Sequence, residues 1–196
     1  MKAGGGRAKG HGFERVIAKE LGNWWWGKPF RRTPSSGGWD KIVNDGEILA
    51  PGDIHAAPEA FWPFSVECKN QQGWDLITLF SAIRTQHLIL TWFEQCWDDA
   101  KRVDKVPMLI FKKNNVRPLM LLACHHTADW QYFRINLCDD KLWFHAADWG
   151  MWFFRTWIDS RQVVLLSLHD FLRYFTPDEF GAYRMERNER SGTAKV

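Results

Sequence analysis

Between Gln86 and Val103 the chain carries a single apolar stripe at helical spacing. Leu88, Trp92, Phe93, Cys96, Trp97, Ala100 and Val103 fall on it, and Glu94, Asp98, Lys101 and Arg102 fall opposite. A helix with one apolar face must bury that face against another element. The flanking segments say which. "FWPFSVEC" (61–68) precedes it, and "VPMLIFKKN" and "RPLMLLAC" follow it. All three are short apolar runs bounded by turn residues, the pattern of buried strands, and Asn114-Asn115 suits a turn between the last two. Strand, helix and strand in this order place a helix on a sheet. A first helix is predicted where Phe13, Val16, Ile17 and Leu21 repeat, with Gly22 as its C-terminal cap. A last strand is predicted over 161–168, then a short helix capped by Asp170. The expected class is α/β, with a central mixed β-sheet flanked by helices.

A chain of 196 residues can bury one sizeable core. No apolar run approaches the roughly 20 residues that span a bilayer, and the basic, Gly-rich start lacks the apolar segment of a secretory signal. A cytoplasmic location without a membrane partner is expected. Cys68, Cys96, Cys124 and Cys138 show no CxxC spacing and read as reduced core thiols. Most of the 13 tryptophans read as core, Trp92 and Trp97 lying on the helix stripe. Trp24, Trp25, Trp26 and Trp39 are the candidates for contact with nucleic acid or with a second copy. His125-His126 lacks an evident third metal ligand and reads as structural. The expected organisation is a flexible basic arm over 1–12, a core over 13–123, a Trp-rich extension packed on it over 124–183, and a loose tail over 184–196.

Charge is segregated along the chain. Residues 1–43 hold nine Lys or Arg against three acids, while 44–183 hold 13 against 18. A basic N-terminal region on a mildly acidic body points to a polyanion partner, foremost nucleic acid. Arg7 and Lys9 lie in the arm. Arg31 and Arg32 precede "TPSSGG", a turn-rich loop whose Ser35 and Ser36 hydroxyls and exposed backbone N–H groups suit phosphate.

The segment "PFSVECKN" (63–70) aims Ser65, Glu67 and Lys69 to one face of a strand and Phe64, Val66 and Cys68 to the other. Asp53 stands 14 residues before Glu67, close enough for adjacent strands to bring the two carboxylates together. Such a pair repels unless a cation lies between them. Mg²⁺, with Mn²⁺ as a substitute, takes oxygen ligands and needs only one or two carboxylates plus a substrate phosphate. The Cys68 backbone carbonyl offers a further oxygen. Lys69 would orient the attacking water or contact the scissile phosphate. Gln71, Gln72 and Gln95 are polar groups expected nearby.

The Gly52-Asp53 and Glu67-Cys68-Lys69 pattern resembles the PD-(D/E)XK nuclease superfamily, with glycine in place of the proline. "GRAKGHGFERVIAKEL" followed by "FRRTPSSGGW" resembles the opening of archaeal-type Holliday-junction resolvases and their phage and bacterial relatives. The resemblance implies a restriction-endonuclease-like core. It implies that Glu14 joins the metal site, directly or through water, and that Arg32, Ser35 and Ser36 approach the cleaved strand. It also implies a homodimer nicking paired strands of branched DNA by Mg²⁺-dependent hydrolysis. The alternatives are a nuclease of the same fold acting on flaps or linear duplex, and a DNA-binding protein of this fold without hydrolysis.

Overall fold

A computed structural model describes residues 5–33, 43–44, 47–48, 52–57, 60, 62–77, 87–123, 153–158 and 161–180. Seven strands form one mixed sheet: β1 (Phe30–Arg32), β4 (Ile54–Ala56), β5 (Phe64–Asn70), β6 (Val106–Lys112), β7 (Leu119–Ala123), β9 (Arg161–Ser167) and β8 (Phe153–Ile158), in that spatial order. A two-stranded hairpin, β2 (Val43–Asn44) with β3 (Glu47–Ile48), stands apart from it. Among the described strands only β5 and β6 run parallel, and α2 (Leu88–Arg102) lies in the connection between them. The expected α/β architecture is what the chain forms.

The two main helices cover opposite faces. On β6, Phe111 turns toward Trp92 of α2, with ring centroids 6.5 Å apart. The next residue, Lys112, lays its ammonium over the Phe13 ring of α1 (Gly5–Trp24), 5.7 Å from the centroid. Successive strand residues point to opposite faces, so α1 and α2 sandwich the sheet. This explains the unbroken burial of β6 from Val106 to Phe111: a strand covered on both sides needs apolar residues at every position. The predicted stripe of α2 is buried at Trp92, Phe93, Cys96, Trp97 and Ala100. Each such large side chain contributes about 1.5–3 kcal/mol by leaving water.

Several boundaries differ from the sequence expectation. Helix α1 begins at Gly5, so residues 5–12 are helical rather than a flexible arm. Glycine propensity is overridden by tertiary contact: Lys9 Nζ donates to Asn114 Oδ1 at 2.6 Å. Gly22 lies inside α1 and does not cap it; a Cβ there would stand 2.5 Å from the Lys28 carbonyl, so only glycine permits the chain to return so closely. The reversal itself is made by Trp26 and Gly27, both at positive φ. The last helix, α3 (Leu168–Tyr174), is capped by Ser167, whose hydroxyl accepts from Asp170 N–H; Asp170 is in its first turn. Beyond residue 123, α3 packs on the core, with Phe171 against Trp24 of α1, whereas the described strands form no separate layer. β9 pairs with β7 and β8 with β9, so they widen the core sheet itself.

The tryptophans near α1 make a packed aromatic cluster. Trp62 meets Phe30, Trp25 and Phe64 edge to face at 4.7, 5.0 and 5.0 Å, and Trp24 meets Phe171 of α3 at 5.0 Å. Trp25 is fully buried and Trp24 is partly so, its indole N–H donating to the Phe175 carbonyl. Both are therefore core residues; Trp26 is exposed. Trp39 lies outside the described residues, as do Cys124, Cys138 and His125-His126. Cys68 and Cys96 are buried free thiols. No helix among the described residues is long and apolar enough to cross a membrane.

Candidate active site

The site forms where β4 and β5 meet. Ile54 pairs with Val66, and the Asp53 N–H donates to the Val66 carbonyl at 2.7 Å. On its other side, the Thr33 N–H donates to the Asp53 carbonyl at 2.9 Å. The backbone of Asp53 is thus held between β1 and β5. Its carboxylate turns along the sheet, and Oδ2 accepts the Cys68 N–H at 2.8 Å. The acid takes a hydrogen-bonding position on β5 that a backbone carbonyl would ordinarily fill.

Gly52 makes this approach possible. Its φ is +114°, and a Cβ there would lie 2.8 Å from the Val66 carbonyl oxygen and 3.2 Å from the Val66 nitrogen. Proline, fixed near φ −65°, cannot adopt that conformation. The departure from a Pro-Asp motif therefore has a local cause: the chain enters Asp53 through a left-handed turn pressed against β5.

Glu67 and Lys69 share the α2 face, as the strand period requires. Lys69 Nζ donates to Glu67 Oε1 at 2.5 Å. From α2, Gln95 joins both: its Nε2 donates to Glu67 Oε1 and its Oε1 accepts from Lys69, each at 3.2 Å. Glu67 is 5% exposed. Burial, and then the nearby Asp53 carboxylate, push its carboxyl up to about 7 against the pull of Lys69. Burial alone would lower the Lys69 pKa, but Glu67 and Asp53 raise it overall, so the ammonium stays charged. Asp99, one turn beyond Gln95, is a further acid close enough to raise the Glu67 pKa.

Glu14 arrives from the other side. Arg32 pairs with Ile54, and Ile54 with Val66, so Arg32 shares the α1 face. There its Nε stands 2.5 Å from Glu14 Oε2. Neither atom has a hydrogen-bonding partner, so the contact is an ion pair without hydrogen-bond alignment. Arg32 is thus turned to Glu14, whereas Arg31, its neighbour in β1, is exposed and paired in register with His55 on the opposite face. All three acids raise the pKa of the Cys68 thiol, which lies among them and is raised first by its own burial. Yet among the described residues no three His, Cys, Asp or Glu side chains gather closely enough to hold an ion.

Of the remaining expected contacts, Lys9 is exposed and tied to Asn114. Gln71 is exposed, its N–H donating to the Lys112 carbonyl. Arg7 is in α1, but its side chain lies outside the described residues, as do Ser35 and Ser36 entirely. Sequence reasoning missed Thr33. Its hydroxyl donates to the Gly52 carbonyl at 2.6 Å while its N–H holds Asp53, and it is buried. No motif marks it; the only sequence signal is a hydroxyl directly after an arginine pair. Thr33→Val is expected to cost about 1–2 kcal/mol of stability through the stranded carbonyl, and Thr33→Ser to restore most of it, as measured by denaturant unfolding.

A hard divalent cation fits these groups. Two buried carboxylates repel, burial and then that repulsion raise the pKa of one of them, and a lysine and an amide already attend the pair. The oxygen donors suit Mg²⁺ or Mn²⁺ and not a softer metal. No curated protein and no solved structure is significantly similar to the chain. The sequence model of a family described as "Phage putative PDDEXK endonuclease" matches residues 5–142, a span holding every acid of the site. That match covers more than half of the chain, and the chain belongs to this PD-(D/E)XK endonuclease family.

Proposed function

We propose that the protein is a Mg²⁺-dependent endodeoxyribonuclease that selects branched DNA, foremost four-way junctions, and acts as a homodimer nicking paired strands. The observation that carries the catalytic part is the juxtaposition of Asp53 with Glu67 on adjacent strands, with Lys69 bonded to Glu67. The preference for branched DNA rests on the likeness of the N-terminal region to junction resolvases.

Asp53, Glu67 and the Cys68 carbonyl would hold the ion, with Glu14 reaching it through water. A bound Mg²⁺ supplies an acidified water and neutralises charge developing on the phosphate. The remaining work falls to the protein. Gln95 and Glu67 fix the Lys69 ammonium, which then faces the scissile phosphate as a point charge or orients the attacking water. Asp53 is held rigidly by its backbone partners and by Cys68 N–H. Arg31 and the Ser35 and Ser36 hydroxyls would hold the strand to be cut. In the metal-free protein Arg32 serves Glu14, and only exchange of that partner would release it to phosphate.

A panel of four-way, flap and linear substrates tests the selectivity. Faster cutting of the junction supports it; linear duplex cut as readily as junctions removes it and leaves a general DNA nuclease of this family.

The raised Glu67 pKa gives a pH signature without metal. A carboxyl raised from 4.5 to about 7 on folding binds its proton more tightly in the folded state. Its contribution is fully present below pH 4.5 and is lost as pH rises to about 7. His55 acts oppositely, its pKa lowered by burial to about 4, so its contribution is lost as pH falls from 6.5. In chelator, Glu67→Gln should therefore gain stability relative to the parent between pH 5 and pH 8, followed by thermal melting. A constant difference across that range would show that Glu67 is not protonated as described.

A further inference from the structure

One side of the site ends in a strip of cations drawn from separate parts of the chain. Asn70 pairs with Lys112, one position beyond Lys69 and Phe111, and Gln71 N–H donates to the Lys112 carbonyl. From there the chain enters the β6–β7 turn, which carries Lys113, Asn114 and exposed Arg117. The ammonium groups are fixed in place. Lys112 lies over Phe13 of α1, and Lys113 lies 4.7 Å over Trp74 and donates to the Trp74 carbonyl at 3.2 Å. Lys9 of α1 is tied to Asn114. Acids around it include Glu20, which feels His169 and Lys112, and Asp75, whose carboxylate accepts the Ile77 N–H. Lys9, Lys112, Lys113 and Arg117 thus gather at this end of the sheet, and exposed Gln71 and Gln72 follow Asn70 there.

We propose that the β6–β7 turn with Lys9, Lys112, Lys113 and Arg117 is a second phosphate-contact surface, which grips a duplex DNA arm leading away from the cut. The inference rests on the reading of DNA as substrate. Its chemistry fits that partner: a row of fixed cations, two of them laid on aromatic rings, follows a repeating backbone charge without reading bases. Pinning the lysines in advance lowers the ordering cost of binding. Lys113, laid on Trp74, turns to the α2 side that carries Lys69, while Lys112 and Lys9 turn to the α1 side, so the cations wrap the end of the sheet beside the site.

The test is binding of a labelled duplex, without divalent metal so that nothing is cut, across a range of salt. Lys112→Gln with Arg117→Gln removes two phosphate contacts and should lower the slope of log affinity against log salt by roughly 2. Lys101→Gln, at the exposed end of α2, should change neither affinity nor slope. Arg117→Glu, at an exposed turn position, keeps the test valid if the double variant melts early; it should weaken binding several-fold. Unchanged slope and affinity in both variants overturn the surface, as does equal loss in Lys101→Gln, which would mean diffuse charge attraction. A wild-type protein that binds through this strip but cuts no DNA in Mg²⁺ would sink the nuclease reading and leave the surface standing. A protein that cuts DNA with an unaltered slope in the variants would do the reverse.

Discussion

Asp53→Asn is expected to lower DNA cleavage by about three orders of magnitude or more while leaving the fold and DNA binding nearly intact. The amide oxygen of Asn can still accept the Cys68 N–H that Asp53 Oδ2 accepts at 2.8 Å, and both backbone bonds of the residue are independent of its side chain. What disappears is the negative charge. Without it the paired carboxylate site loses one of its two anionic ligands, and electrostatic preorganisation of this kind accounts for much of an enzyme's rate. Two further readouts belong to the same substitution. Loss of Asp53 should let the Glu67 carboxyl fall from about 7, because Asp53 is one of the groups holding it up. Stabilisation of the folded protein by Mg²⁺ should shrink as well, since a ligand stabilises only in proportion to its binding. Mg²⁺-dependent cutting that persists in Asp53→Asn would move the site elsewhere.

Gly52→Ala should produce the largest loss of stability of any small-residue change near the site. The added Cβ would stand 2.8 Å from the Val66 carbonyl oxygen, a backbone atom that cannot swing away, and the residue would be forced to hold φ at +114°. Left-handed strain and a backbone clash together cost about 3 kcal/mol, which for a chain of this size is a fall in melting temperature of roughly 10 °C. Relief of the clash would move Asp53 away from β5, so activity should fall further than the loss of folded protein explains. An unchanged melting temperature would contradict the close approach of Gly52 to Val66.

Asp53, Glu67 and Lys69 are legible in the sequence to different degrees. The strand period alone put Glu67 and Lys69 on one face, and Lys69 is bonded to Glu67. The spacing of Asp53 allowed adjacent strands, and β4 does pair with β5. Gln95 was expected near the site and reaches Glu67 across 28 residues. Thr33 carries no local signal because its role comes from a contact distant in sequence, holding Gly52 across 19 residues. Arg32 looked like a phosphate ligand because it stands beside a serine-rich loop, but the register of β1 turns it toward α1 and Glu14. The start of α1 was misjudged because glycine count predicts local freedom and cannot register the tether from Lys9 to Asn114. The strand over 161–168 is legible in the sequence and forms β9, but its place in the core sheet is not, since sheet membership is fixed by pairing with β7 and not by local composition.

The most direct test of the whole account is cleavage of four-way, flap and linear DNA by the wild-type protein, run in parallel with Mg²⁺ and with chelator. Nicking is expected in Mg²⁺, fastest on the four-way junction, and none in chelator. Cutting that continues undiminished in chelator, or no cutting of any of the three DNAs in Mg²⁺ or Mn²⁺, would contradict it.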